Sequence, residues 1–182
     1  MTKKLLIAID GPSASGKGSL AEKLAEHFGL NYLNTGALYR IAANRYRKLG
    51  LTQENFEDNI VRLVDKIDQE DFEDEELFTE EVGQVASVIA KNSKLRADLF
   101  EFQKKFIEDS IRESNGASID GRDVASVIMP QANHKFFITA NVEARADRRY
   151  KQLKDKGDDV TLEEILSQLK YRDESDKNRK NS

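Results

Sequence analysis

The chain has 182 residues, of which 38% are hydrophobic and 34% are charged, with a net charge of −4 at pH 7. This length suits one domain with a full hydrophobic core. The lack of cysteine excludes disulfides, zinc-thiolate sites and a thiol nucleophile, and no apolar run approaches the length of a membrane span. The first four residues lead directly into a predicted strand without a signal peptide, so a cytoplasmic location is expected.

The first predicted elements are a strand, a glycine-rich loop and a helix. The apolar run from Leu5 to Ile9 is typical of a buried parallel strand. Apolar residues from Leu20 to Phe28 recur at helical spacing, and Gly29 suits a left-handed helix end. Residues 11–17 between them match the phosphate-binding pattern Gly-x-x-x-x-Gly-Lys. Strand, loop and helix together predict a phosphate site.

The residue types of this loop fit that chemistry. Glycine at 11 and 16 permits backbone angles that let successive N–H groups converge on phosphate oxygens at a helix N-terminus. Lys17 adds a mobile positive charge for the terminal phosphates. The hydroxyl that such loops offer to magnesium comes one residue late, at Ser19. The predicted ATP contacts are Gly11, Pro12, Ser13, Ala14, Ser15, Gly16, Lys17, Gly18 and Ser19.

The remaining pattern alternates strands with helices. Strands are predicted at 31–33, 117–120 and 135–139, and helices at 37–49, 56–68, 79–92, 95–113 and 142–154. Asn141 is a candidate cap for the 142–154 helix, and Thr161 with Glu164 forms a capping box for a last helix. This order predicts an α/β fold with a parallel sheet flanked by helices and with ligands at the C-terminal ends of the strands.

Residues 54–81 carry thirteen acidic residues against two basic ones. The simplest interpretation is a solvated or flexible excursion. The rest of the chain is therefore basic overall and should attract anionic ligands.

Polar residues follow the other predicted strands as well. Thr35 lies after the second strand, ahead of Tyr39 and Arg40, and the segment Asp120-Gly121-Arg122-Asp123 lies after the third. Asp120 occupies the place where a P-loop protein holds magnesium with a carboxylate, directly or through water. The alternative is an ordinary turn aspartate before glycine. These segments should meet the phosphate loop at one edge of the sheet.

Several motifs resemble bacterial cytidylate kinase, a P-loop nucleoside monophosphate kinase. They are Ile-Ala-Ile-Asp-Gly-Pro-Ser at 7–13 with Gly-Lys-Gly-Ser at 16–19, Leu-Asn-Thr-Gly-Ala-Leu-Tyr-Arg at 33–40, Asp-Gly-Arg-Asp-Val at 120–124, Arg-Ala-Asp-Arg-Arg at 145–149 and Arg-Asp-Glu-Ser-Asp-Lys-Asn-Arg at 172–179. The resemblance spans nearly the whole chain in order. It implies the nucleoside monophosphate kinase fold and transfer of the terminal phosphate of ATP to CMP or dCMP with Mg²⁺.

The resemblance also implies a role for individual residues. The cytosine would be contacted by Ser87, Arg96 and Asp123, and the CMP phosphate by Arg40, Arg122 and Arg179. Arg172 with Asp176 would reach the sugar hydroxyls, and Thr35 and Tyr39 complete the substrate set. Charge on the transferring phosphoryl group would be balanced by Lys17, Arg148 and Arg172, and Mg²⁺ would be held by Ser19 and Asp120.

The predicted organisation is one P-loop kinase domain over 1–182. Its core covers about 1–36, 114–142 and 161–182, a nucleoside monophosphate-binding segment covers about 37–113, and a lid covers about 143–160. The chain departs from the family in two places: residues 65–80 are too short and acidic for the usual three-stranded insert, and the family's final strand and helix are missing after 182. The expected partners are ATP and CMP or dCMP, with no nucleic acid and no membrane, and the expected state is a monomer.

Two other functions stay open from the sequence. The same loop could serve a kinase of another small acceptor, which would not need Ser87, Arg96 and Asp123 together. It could also serve a nucleotide-binding module without catalysis.

Overall fold

A computed structural model describes residues 4–155 and 157–177. The elements in chain order are β1 Leu5–Asp10, α1 Lys17–Phe28, β2 Asn31–Asn34, α2 Thr35–Lys48, α3 Phe56–Val64, α4 Gln69–Glu73, a 3-10 helix Glu75–Phe78, α5 Glu80–Ile89, α6 Ser93–Glu113, β3 Gly116–Gly121, a turn of π-helix Val124–Ile128, β4 His134–Phe137, α7 Val142–Asp155 and α8 Leu162–Lys177. The chain divides into two compact units, unit 1 with residues 1–33 and 110–182 and unit 2 with residues 34–109.

The sheet has the strand order β2-β3-β1-β4. β1 pairs in parallel with both β3 and β4, and Asp10 is level with Gly121 on one side and Phe137 on the other. The predicted parallel sheet is confirmed, and the three strands end at the same edge. Polar residues that follow these strands are therefore neighbours.

Unit 1 is held by two apolar clusters. One joins the buried face of β1 to α1 and contains Ile7, Ile9, Ala21, Ala25 and Leu30. The other joins α7 to α8 and contains Ala146, Leu153, Ile165 and Leu169. The first cluster fixes α1 against the sheet, so the phosphate loop between β1 and α1 has both of its ends anchored.

Unit 2 is helical. α2 is its centre and packs against α3 and α5, with Leu38 and Ile41 fully buried. Ile60 and Leu63 of α3 and Leu77 of the 3-10 helix are also buried. The helix predicted at 37–49 is therefore confirmed as most of α2.

The acidic stretch is solvated, as its charge suggested, since most of its carboxylates are exposed, but it is a helical part of unit 2 and not a loop. Residues 54–81 form α3, α4, the 3-10 helix and the start of α5, and their carboxylates meet basic residues of α2. Asp71 binds Arg45 at 2.8 Å, Asp74 binds Lys48 at 3.0 Å and Glu81 binds Arg47 at 2.6 Å. The pairs of Lys48 and Arg47 are largely exposed and contribute little each, whereas the Arg45–Asp71 pair is partly buried and bidentate. All three neutralise part of a charge run that would otherwise repel itself.

The predicted helix ends are confirmed where a local motif defines them. Gly29 ends α1 with φ 62°, and the Asn141 side chain accepts a hydrogen bond from the Ala144 N–H at 3.0 Å. Thr161 Oγ1 accepts from the Glu164 N–H at 3.3 Å, while Glu164 Oε2 accepts from the Thr161 N–H at 2.9 Å. These caps use residues within one helical turn, which makes them visible in the sequence.

Other boundaries differ from the predictions. α2 begins at Thr35 because the Asn34 side chain accepts from the Ala37 N–H, and α3 ends at Val64, ahead of Lys66 with φ 47°. The π-helical turn was not predicted. Residue 156 of the predicted lid lies outside the described residues. In the described part of the chain, no helix combines the length and the apolar character needed to cross a membrane.

Gly116 gives a test of how closely β3 approaches β1. A Cβ at this residue would lie 1.9 Å from the Leu5 carbonyl oxygen, and φ is +136°. Gly50 also has a positive φ, +61°, but a Cβ there meets nothing within 4 Å. Gly50→Ala should lower the free energy of unfolding by about 1 kcal/mol for the left-handed conformation alone. Gly116→Ala should lower it by more than about 3 kcal/mol, because the strands must also separate. Equal midpoints of urea unfolding for the two variants would contradict this close approach.

Candidate functional site

The phosphate loop leaves β1 through a very narrow space. Gly11 has φ +154°, and a Cβ on it would lie 2.1 Å from the Ile138 carbonyl oxygen. Gly16 has φ 92° and stands at the N-terminus of α1. The first turn of α1 contains no acidic residue, so its positive end is available to an anion. Both glycines are thus required by backbone geometry, as the sequence pattern predicted.

Lys17 is the first residue of α1 and lies among charged groups. Its Nζ donates to the Pro12 carbonyl at 3.4 Å. Burial lowers the pKa of Lys17 from its usual 10.5 to about 8, and the charge of Arg122 acts in the same direction, against Asp120, Asp176 and Asp10. A bound anion would supply the compensation that the amine lacks.

Asp120 is a buried carboxylate beside the start of α1. The Tyr32 hydroxyl donates to its Oδ1 at 2.8 Å, and burial raises the pKa of Asp120 while Lys17 opposes that shift. A Cβ on Gly18 would lie 3.8 Å from both carboxylate oxygens, so the missing side chain leaves room next to Asp120. Ser19, which follows Gly18 in α1, is exposed.

These groups suit Mg²⁺ bound together with phosphates. Magnesium prefers hard oxygen ligands and commonly uses one or two carboxylates, several waters and phosphate oxygens. Asp120 supplies one such carboxylate. Within residues 4–155 and 157–177, no cluster of three or more His, Cys, Asp or Glu side chains could hold a metal ion alone. The protein groups therefore fit a metal that arrives with a phosphate ligand better than a fully protein-bound ion.

Arg122 connects the loop to α8. Its Nη1 donates to the Gly11 carbonyl at 2.6 Å and its Nη2 to Ser13 Oγ at 2.9 Å. Its Nε donates to Asp176 at 2.6 Å. The structure thus brings Arg122 and Asp176, two residues of the predicted substrate site, into direct contact.

The turn that carries Asp123 is held by Asp10, which the sequence analysis did not select. The Asp10 carboxylate accepts from the Val124 and Ala125 N–H groups, both at 2.8 Å. Burial raises the pKa of Asp10 and the two backbone hydrogen bonds oppose the shift. The sequence does show a carboxylate at the end of a buried apolar run, which marks Asp10 as unusual. It does not show the hydrogen-bond partners of Asp10, because Val124 and Ala125 lie more than a hundred residues away.

Two arginines of α7 reach the phosphate loop. Arg148, a predicted catalytic residue, donates to the Ser15 carbonyl at 3.2 Å. Arg145, which belongs to the Arg-Ala-Asp-Arg-Arg motif but was not predicted as a site residue, is 3% exposed and donates to the Ser13 carbonyl at 3.1 Å. Between these carbonyls Ala14 adopts φ 57°, a left-handed conformation that costs a residue with a side chain about 1 kcal/mol.

The other predicted site residues divide between the units. Arg172 is half-buried on α8, and Arg179 lies outside the described residues. Unit 2 carries the rest: Thr35, Tyr39 and Arg40 on α2, Ser87 on α5 and Arg96 on α6. Arg40 donates to the carbonyls of Leu77 and Thr79 at 2.5 and 3.2 Å, and Ser87 Oγ donates to the Gln84 carbonyl at 2.9 Å. Their roles toward a ligand stay predictions.

Both the family model and the curated relatives that match this chain are described as cytidylate kinases. A family model described as cytidylate kinase matches residues 7–182. The cytidylate kinase of Rhodopseudomonas palustris is 42% identical over 177 residues, covering 96% of this chain and 80% of the relative. That of Neisseria gonorrhoeae is 41% identical over 191 residues, covering 99% and 84%. The crystal structure of TT1252 from Thermus thermophilus shares the fold with a TM-score of 0.50 and 18% identity, over 99% of this chain and 87% of that one.

The lowered pKa of Lys17 predicts how stability depends on pH. Below pH 8 the native protein buries a charged amine. Between pH 8 and 10.5 the native amine loses its proton while the unfolded one keeps it, so native stability rises relative to a variant without the amine. Lys17→Met should stabilise the protein at pH 7 by at most about 3 kcal/mol, and this gain should shrink toward pH 10. Urea unfolding at four pH values measures it, with the exposed Lys23→Met as the control. A gain that grows with pH would contradict the predicted burial.

Proposed function

This chain belongs to the cytidylate kinase family and transfers the terminal phosphate of ATP to CMP or dCMP, and we propose that the phosphate loop and the charged groups around it carry that reaction. The observation that supports this assignment most is the position of Lys17. It follows a loop with two required glycines and lies in the electrostatic field of Asp120 and Arg122. No other described segment combines a glycine loop, a helix N-terminus and a partly buried lysine.

The reaction needs positioning more than a chemical base. An oxygen of the CMP phosphate attacks the γ-phosphorus of ATP, the bond from that phosphorus to the β,γ-bridging oxygen breaks, and ADP leaves with the bond's electrons. The attacking oxygen is already anionic. Lys17 donates to the transferring group and the backbone N–H groups of residues 11–19 hold the ATP phosphates. Arg148 and Arg172 add positive charge as the phosphoryl group separates from both oxygens.

Mg²⁺ belongs to the proposed site because Asp120 offers the type of ligand it needs. The ion would be held by Asp120, directly or through water, with Ser19 as the second protein candidate. When bound, it supplies charge neutralisation on the ATP phosphates. Tyr32 holds Asp120 in one orientation through the 2.8 Å hydrogen bond, and Gly18 keeps the adjacent volume open for phosphate and water.

The acceptor contacts are proposed residue by residue. The cytosine contacts are Ser87, Arg96 and Asp123, because a carboxylate accepts from the exocyclic amine and an arginine donates to ring acceptors. The CMP phosphate is bound by Arg40, Arg122 and Arg179, and the sugar hydroxyls by Arg172 and Asp176, with Thr35 and Tyr39 beside them. Within unit 1, the contact between Arg122 and Asp176 supports a shared location for phosphate and sugar groups.

The segment 143–160 is proposed as a lid that excludes water during transfer. Its first helix, α7, already contacts the phosphate loop through Arg148. All proposed contacts come from one chain, so a monomer suffices. A cytoplasmic location remains the proposal, since ATP and CMP are available there.

Replacement of Lys17 tests the phosphate site. Lys17→Ala should reduce kcat at least about a hundredfold, because a donor aimed at developing charge contributes mostly in the transition state. KM for CMP should change little. A coupled assay with ATP and CMP gives both constants, and Lys23→Ala on the exposed side of α1 is the matched control. Wild-type turnover by a folded Lys17→Ala protein would remove Lys17 from the site.

Replacement of Asp123 tests base recognition. Asp123→Asn should reduce the preference for CMP over UMP about ten- to a hundredfold, because one base contact contributes about 1–3 kcal/mol of discrimination. KM for ATP should stay the same. The ratio of kcat/KM for the two acceptors measures the effect, with AMP and dCMP run in parallel and the exposed Asp58→Asn as the control. An unchanged ratio would exclude Asp123 from the base contacts.

A further inference from the structure

Arg145 is a buried arginine that the proposed reaction does not use. It lies in the first turns of α7 and is 3% exposed, so a substrate cannot reach it. Its Nε donates to the Ala140 carbonyl at 2.9 Å, and its Nη1 donates to Asp173 Oδ1 and to the Ser13 carbonyl, each at 3.1 Å. Its Nη2 donates to the other oxygen of Asp173. A bidentate carboxylate of this kind offsets the desolvation of a buried guanidinium.

The contact with Ser13 acts on the shape of the phosphate loop. In a trans peptide, the carbonyl of one residue and the N–H of the next point in opposite directions. A hydrogen bond that fixes the Ser13 carbonyl therefore also fixes the direction of the Ala14 N–H. Ala14 is the residue of the loop with φ 57°, a region that alanine seldom occupies without external support.

We propose that Arg145, oriented by Asp173 of α8, is a positioning residue that holds the Ser13–Ala14 peptide in the conformation needed to bind the ATP phosphates. The proposal rests on the assignment of residues 11–19 as the ATP phosphate site. Arg145 acts on nucleotide affinity through the loop backbone and makes no contact with ATP. α8 thereby contributes to the ATP site indirectly, through the contact of Asp173 with Arg145.

The neighbouring pair on α8 shows that this arrangement is repeated. Asp176 follows Asp173 by three residues, which places both on one face of α8. Asp176 orients Arg122, whose Nη1 donates to the Gly11 carbonyl. The peptide after Gly11 leads into Pro12, which has no N–H to direct at a phosphate. Of the contacts made by Arg122 and Arg145 with loop carbonyls, only the Arg145 contact therefore sets the direction of a backbone N–H group, that of Ala14.

Binding of a non-hydrolysable ATP analogue with Mg²⁺, followed by calorimetry, tests the proposal. Asp173→Asn and Arg145→Lys keep most of the side-chain volume and should weaken the analogue about tenfold or more, since misplacement of binding groups by about 1 Å can cost up to a hundredfold. CMP affinity, measured alone, should change less than about twofold. Lys151→Met, on the exposed surface of α7, is the control and should bind as the wild type does.

A second variant separates positioning from mere stability. Ala14→Gly allows the left-handed conformation without steric cost. In the Asp173→Asn background it should recover several-fold of the lost ATP-analogue affinity, because the loop no longer needs Arg145 to hold that angle. Recovery of thermal stability without recovery of affinity would assign Arg145 a structural role alone and overturn the proposal.

The remaining outcomes are also decisive. Wild-type analogue affinity in folded Asp173→Asn and Arg145→Lys would overturn the positioning role, as would equal losses for the analogue and CMP. Turnover of Lys17→Ala with ATP and CMP is measured alongside. If folded Lys17→Ala keeps wild-type turnover, the phosphate-site assignment itself is wrong. If Lys17→Ala loses turnover while Asp173→Asn and Arg145→Lys keep wild-type analogue affinity, the assignment stands and the inference about Arg145 fails.

Discussion

The parallel register of the central sheet decides where the charged groups of unit 1 lie. Asp10 is level with Gly121 on β3 and with Phe137 on β4, so three strands deliver their following residues to one edge. The space there is small, as the 2.1 Å approach between a Cβ at Gly11 and the Ile138 carbonyl shows. A shift of one residue in the pairing of β1 with β3 would move Asp120 to the other face of the sheet. The phosphate loop, the candidate magnesium ligand and the Asp123 turn therefore depend on one set of backbone hydrogen bonds.

Burial of charge is the energetic consequence of that register. Burial opposes the charged forms of Lys17, Asp10 and Asp120, lowering the pKa of the lysine and raising those of the two carboxylates. An apolar side chain in place of Lys17 would leave the native state more stable, whereas one in place of Asp10 would leave the Val124 and Ala125 N–H groups without their acceptor. The arrangement is expected where function requires a fixed array of charges, since such sites commonly reduce stability. Binding of phosphate reverses part of this loss for Lys17, because the ligand supplies the opposite charge.

Local motifs made much of this structure predictable, and tertiary contacts explain the rest. The glycine spacing of 11–17, the Gly29 helix end and the Thr161 capping box depend on neighbouring residues, so the sequence alone identifies them. The role of Arg145 depends on α8 packing against α7, which brings Asp173 close from 28 residues away. The acidic stretch was correctly expected to be solvated, but its ion pairs with α2 were not predicted, because a charge count contains no information on the basic residues that face it.

Arg122 shows how a predicted ligand residue can have a structural function before any ligand arrives. Its three guanidinium nitrogens donate to Asp176, to the Gly11 carbonyl and to Ser13 Oγ. In the proposed site the CMP phosphate binds Arg122 and the sugar hydroxyls bind Asp176. A guanidinium has five N–H donors and a carboxylate about four acceptor sites, so both ligand contacts can form while the ion pair persists. Recognition of the phosphate and of the sugar would then be coupled through one ion pair, because the contact between Arg122 and Asp176 orients both side chains.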